Sequence, residues 1–219
     1  MTPTATPEET GRPTALRWAV PLAVLVIAAV VAAAVLVTRD GGDGGGSAAP
    51  PSTSVPPDAV EVTSDAPAFA SLQELAGASD LIVRGHVTST ARGRRFGDPG
   101  GSAIESRLVR LRVDEVLRGT LPEGEQTVLV EEEGWTEDGR PLVVDGARPT
   151  QEGDAGIWFL TATGDDTSGS WIVVNAQGRY LQDGDELVGA EGDDPLVADL
   201  SAGSVDDLAD RISRTPPGP

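Results

Sequence analysis

Leu81-Ile-Val-Arg-Gly-His-Val-Thr-Ser-Thr90 places Leu81, Val83 and Val87 on one side of an extended chain and Arg84, His86 and Thr88 on the other. Successive side chains of a strand point to opposite faces, so this two-residue period marks a strand with one buried and one solvated face. Ile104–Val116 repeats the pattern, with Val109, Leu111 and Val113 opposite Arg110, Arg112 and Asp114. Gln126–Glu132, Pro141–Val144, Ala155–Thr163, Trp171–Val174, Arg179–Gln182 and Glu186–Gly189 continue the series. Turn-forming runs such as Pro122-Glu-Gly124, Asp138-Gly139, Asp145-Gly146 and Asp183-Gly184 separate them. Short strands at this spacing, with no helices between, predict a mainly β domain: a small antiparallel barrel or sandwich. One or two short helices flank it. Ser71-x-x-Glu74 opens one that closes near Gly77, and Ser204-x-x-Asp207 opens an amphipathic one carrying Val205, Leu208 and Ile212.

Upstream the composition changes. Leu16–Val37 is a run of 22 residues with a single charge, Arg17, at its edge. As a helix it spans a hydrocarbon core of roughly 30 Å. Trp18 and Arg17 sit where an interfacial ring and a snorkelling cation belong, and Pro21 falls in the first turn. The run exceeds the roughly 7–15 apolar residues of a cleaved signal peptide, so a retained single-pass anchor is expected. Arg12 and Arg17 precede it, whereas Arg39 is followed by Asp40 and Asp43, so the positive-inside rule places residues 1–15 in the cytoplasm. The β domain is then expected outside the plasma membrane. Residues 38–67 are rich in glycine and proline and almost free of apolar side chains, and read as a mobile tether reaching on the order of 30 Å. The folded unit is expected over 68–214, with a frayed tail at 215–219.

Composition excludes several chemistries. The 219 residues carry a net charge of −19, no cysteine and one histidine, His86. There is thus no thiolate, disulfide or multi-histidine metal site. All 16 basic residues are arginine, so a phosphate-binding loop with its lysine is absent, and no G-x-S-x-G nucleophile elbow occurs. No cofactor is expected. Such acidity repels polyanions, and nucleic acid is not an expected partner.

Four segments carry a family resemblance: Ala78-Ser-Asp-Leu-Ile-Val-Arg-Gly-His-Val87, Val113-Asp-Glu-Val-Leu-Arg-Gly119, Glu152-Gly-Asp-Ala-Gly-Ile-Trp-Phe-Leu160 and Val173-Val-Asn-Ala-Gln-Gly-Arg-Tyr180. In this order they resemble membrane-anchored bacterial envelope proteins with an OB-like barrel, similar in shape to the netrin and tissue-inhibitor-of-metalloproteinase module. Arginine-only usage points to a high-GC, actinobacterial source. The resemblance implies a small closed or half-closed barrel with helices against it, and no activity. The inhibitor branch acts through an N-terminal cysteine that this chain lacks.

Charge is unevenly distributed. Residues 84–118 hold eight arginines and four acids, whereas 119–219 hold five arginines and 22 acids. The run Arg92–Gly101 reads as a long flexible loop placing Phe96 beside Arg92, Arg94 and Arg95, suited to anionic lipid headgroups or an anionic cell-wall polymer. The alternative is internal compensation by acids across the sheet. Trp135 reads as a loop residue before Thr136-Glu-Asp-Gly139, either stacking on a ligand or packing over an open barrel end. Glu131-Glu132-Glu133, and likewise Asp183, Asp185 and Glu186, gather oxygen ligands of the kind calcium takes, the alternatives being a solvated strand end and an acidic turn. These features point to a tethered interaction or ligand-binding module of the cell envelope, without enzymatic activity. Its partners are membrane lipid through the anchor, and an envelope protein or anionic wall polymer through the loops. The competing expectations are an envelope enzyme with a carboxylate pair at the barrel mouth, and a structural stalk.

Overall fold

The computed structural model describes residues 55–97, 103–164 and 169–216. The expected anchor at 16–37 and the tether as far as residue 54 lie outside the described residues. Among those described, no helix is long and apolar enough to cross a membrane. The strands are β1 (Val60–Val62), β2 (Leu81–Phe96), β3 (Ile104–Arg118), β4 (Thr127–Thr136), β5 (Leu142–Val144), β6 (Ala155–Ala162), β7 (Trp171–Val173), β8 (Arg179–Asp183) and β9 (Glu186–Val188). The helices are α1 (Leu72–Gly77), α2 (Pro195–Ser201) and α3 (Val205–Arg214).

β2 pairs antiparallel with β3 along most of its length, and over Leu81–His86 its other edge pairs antiparallel with β6. β3 pairs antiparallel with β4, β4 parallel with β7, and β7 antiparallel with β6. The order β2-β3-β4-β7-β6 therefore returns to β2 and closes a five-stranded barrel. β8 follows β7 along the same edge of β6 and carries β9. The barrel is not purely antiparallel as expected. β4–β7 and the separate β1–β5 pair are both parallel, joining strands too far apart in sequence for local spacing to reveal.

Leu81, Val83, Val87, Val109, Leu111, Val128, Val130, Trp158 and Leu160 fill the barrel. A second core lies outside the wall, where Ile82, Ile157, Phe159 and Tyr180 meet Leu75, Leu196, Leu200, Leu208 and Ile212 of the helices. Gly156–Leu160 is consequently buried on both faces, and Ile82 is fully buried although it shares the parity of Arg84. Strand closure is tight where Gly85 faces Gly156 across the β2–β6 pair. A Cβ would stand 2.3 Å from the Arg112 carbonyl oxygen at Gly85, and 2.0 Å from that of Tyr180 at Gly156.

The helix ends follow their capping residues. Ser71 Oγ accepts from Glu74 N (3.2 Å), and Ser204 Oγ accepts from Asp207 N (3.2 Å) while the Asp207 carboxylate accepts from Ser204 N (3.1 Å). α2 adds to the expected helices. Asp194 Oδ1 caps it, accepting from Leu196 N and Val197 N, and Pro195 opens it.

Three local expectations change. β2 continues to Phe96, so Arg92, Arg94, Arg95 and Phe96 belong to a strand rather than a loop, paired with Ile104–Arg107. β4 continues to Thr136, placing Trp135 in a strand opposite Glu105. Val60–Val62, inside the stretch composition assigns to the tether, forms β1, and Ser64 donates to the Asp145 carboxylate from N (2.9 Å) and Oγ (2.6 Å).

Candidate functional site

The inward row of β3 runs Leu111, Val109 and then Arg107; that of β4 runs Val128, Val130 and then Glu132. The apolar alternation thus turns polar at one end of the barrel, where Arg107 faces Glu132. Arg179 arrives on the barrel side of β8, opposite Trp158, and the segment between β5 and β6 lays Arg148 and Thr150 over the same end. Arg107, Arg148, Arg179 and Thr150 are all buried.

Their pairing is extensive. Arg179 Nη1 donates to Glu132 Oε1 (2.9 Å) and to Thr150 Oγ1, and its Nη2 donates to the Arg148 carbonyl. Thr150 Oγ1 donates to the same Glu132 oxygen (2.7 Å). Arg148 grips Asp154 with both terminal nitrogens (3.0 and 2.8 Å). Arg107 donates only to the Thr150 carbonyl (3.3 Å), and its guanidinium lies 4.2 Å from the Trp135 ring centroid. Burial pushes the Arg107 guanidinium below its ordinary range; Glu132 opposes that shift, and Arg179 and Arg92 add to it. Of the carboxylates at this end, Glu132 pairs with Arg179 and Asp154 with Arg148.

The residues singled out in the sequence lie beside this end. Arg92 stacks over Trp135 at 4.6 Å and pairs with Glu105. Trp135 is half-buried between strand and solvent, carrying two guanidiniums on its ring rather than an open face. Arg94 donates to Glu131 from Nε (3.0 Å) and Nη2 (2.9 Å), and sits 4.7 Å from the Phe96 centroid. Phe96 itself is 38% exposed. Arg84 pairs with Asp206, and His86 Nδ1 lies 2.9 Å from Asp114 Oδ2 on the outer face. Internal compensation therefore accounts for Arg84, Arg92 and Arg94. It does not account for Arg95, Arg110 and Arg112, which are exposed and form no ion pair among the described residues.

Asp183, Asp185 and Glu186 form the β8–β9 hairpin, in which Asp183 pairs with Glu186 and Gly184 (φ +62°) takes the first turn position. Among the described residues no group of three or more His, Cys, Asp or Glu side chains is placed to hold a metal ion.

The sequence does not bring Arg107, Glu132, Arg148, Thr150 and Arg179 together, and shows Glu132 only as part of the carboxylate run Glu131–Glu133. The signal for the first two is a charged residue at core parity, one step beyond an apolar alternation. Arg148 and Thr150 lie in a segment with no period to read.

No family model and no curated protein matches this chain. The site therefore rests on its own geometry. Its chemistry is that of a buried guanidinium cluster beside an indole, with the adjoining Glu133 carboxyl raised above its ordinary range, by desolvation first.

Proposed function

We propose that this protein is a non-catalytic binding module of the bacterial cell envelope, held at the outer face of the plasma membrane by a single helix at 16–37. We read its barrel as OB-like, similar to the netrin and inhibitor module. The support is the strand order β2-β3-β4-β7-β6 with its one parallel seam, together with the four sequence motifs. In OB barrels the second and third strands and the adjoining loops form the binding face; the counterparts here are β3 and β4.

The observation that carries the binding reading is the set of guanidiniums on Arg95, Arg110 and Arg112, exposed on the β2–β3 ribbon and without an ion pair among the described residues, in a protein whose net charge is −19. Where carboxylates are so abundant, arginines left without them offer a surface to an outside anion. Arg92, Arg94 and Phe96 share β2 with Arg95, and Trp135 lies on β4 opposite Glu105, the residue that pairs with Arg95; the partner is an anionic cell-wall polymer or an acidic envelope protein.

The test uses full-length protein in zwitterionic nanodiscs, titrated with a phosphodiester-linked wall polymer at low and physiological salt. Binding is expected to weaken with salt and to fall about tenfold or more, some 1.4 kcal/mol, when Arg95, Arg110 and Arg112 are replaced by alanine. A parent protein that captures no polymer, or a triple variant that captures as much, refutes the reading. Release of the intact chain from membranes by alkaline washing refutes the anchor.

A further inference from the structure

Of the three arginines that carry the binding reading, Arg112 has a titratable neighbour. It stands directly opposite His86 in the β2–β3 register, so the two side chains rise next to each other from the ribbon. His86 Nδ1 lies 2.9 Å from Asp114 Oδ2, which brings that carboxylate to the same face. Asp114 is two residues along β3 from Arg112, a separation of about 7 Å that an arginine side chain can span. His86 and Asp114 are both open to solvent, their side chains 40% and 48% exposed. With Asp114 turned to His86, Arg112 has no ion pair among the described residues.

The other charged groups around His86 are engaged or stand further off. On β2, Arg84 pairs with Asp206 of α3 and lies opposite Glu115. On α3, Asp207 caps its own helix and Asp210 pairs with Arg214. On β6, the partner of His86 is Ala155, and Asp154 just before it is held by Arg148. Arg112 faces uncharged Thr127 on β4, and Arg110 faces Leu129. Glu125 ahead of β4 and Glu152 ahead of β6 are exposed, with no ion pair among the described residues. Asp114 is therefore the acid that His86 holds and the acid placed to compete for Arg112.

We propose that His86 is a proton-controlled gate on the anion-binding surface, holding Asp114 away from Arg112 as imidazolium and releasing it to Arg112 as neutral imidazole. The inference rests on the binding reading above and adds its regulation. Imidazole ordinarily changes charge between about pH 5 and 8, and His86 is the only histidine in the chain. A hydrogen bond between two charged groups is roughly twice as strong as a neutral one, so the protonated ring is the better holder of Asp114. The anion-competent form is thus the protonated one. Affinity is full at acid pH and declines as pH rises through the imidazole titration, and by reciprocity anion binding takes up protons.

Full-length protein in zwitterionic nanodiscs, titrated with an unsubstituted phosphodiester-linked wall polymer at fixed ionic strength, tests the gate. The polymer keeps its charge over this range. Affinity is expected to rise about two- to fivefold between about pH 8 and pH 5, the factor an exposed ion pair contributes. His86→Gln is expected to flatten the profile at the parent's alkaline level, and Asp114→Asn to bind at alkaline pH about as tightly as the parent at acid pH. The parent's own profile is a readout that needs no variant. A flat parent profile, a slope that survives in His86→Gln, or an Asp114→Asn variant no tighter than the parent at alkaline pH overturns the gate and leaves the surface standing. A parent that binds no polymer at either pH overturns both.

Discussion

Glu132 holds a position that no surface carboxylate occupies. One of its oxygens receives both Arg179 and Thr150, and it faces Arg107 across the β3–β4 pair. Glu132→Gln keeps the shape and removes the charge, leaving the buried Arg179 guanidinium without its counter-ion. Unpairing a buried ion in this way costs about 3–5 kcal/mol, and the urea midpoint is expected to fall accordingly. The exposed neighbour Glu137 supplies the control, since Glu137→Gln is expected to change stability by less than about 0.5 kcal/mol. A small shift for Glu132→Gln would mean that water already reaches the pair.

Among the elements, β6 is the most constrained, because it lines the barrel on one face and the helix layer on the other. Gly156→Ala drives a methyl group to within 2.0 Å of the Tyr180 carbonyl, which is backbone and has no rotamer to change. Overpacking of this kind costs about 1–3 kcal/mol, and slower refolding with a lowered denaturant midpoint is the expected reading; an unchanged midpoint contradicts the tight closure. Much of this architecture was legible in the chain. The starts of β2 to β4, the β8–β9 hairpin and the caps of α1 and α3 follow from alternation and from local residue chemistry. The far halves of β2 and β4 did not, because Arg92, Arg94 and Trp135 look like loop residues until cross-strand partners such as Glu105 and Glu131 are known. The parallel β4–β7 seam escaped for the same reason, being a long-range pairing. The polar barrel end was invisible because its members come from four separate segments.

At the scale of the whole molecule, stability is expected to fail at alkaline pH through the chain's one tyrosine. Tyr180 is fully buried and its hydroxyl has no hydrogen-bond partner among the described residues. Burial first, then Asp194 and Asp199, hold its ionisation above the ordinary value of about 10. The unfolded chain loses this proton near pH 10 while the folded one keeps it, so stability from this group is complete below pH 10 and declines as pH rises further. Tyrosinate absorbance should therefore appear only together with loss of the fold, and ionisation of an intact protein near pH 10 would contradict it. A different consequence follows from β1. Three residues, Val60–Val62, lie parallel to Leu142–Val144 just ahead of the segment bearing Arg148 and Thr150. Any tug on the chain upstream of Val60 loads that short ladder lengthwise, so drag from the surroundings reaches the lid over the arginine cluster before it reaches the barrel wall.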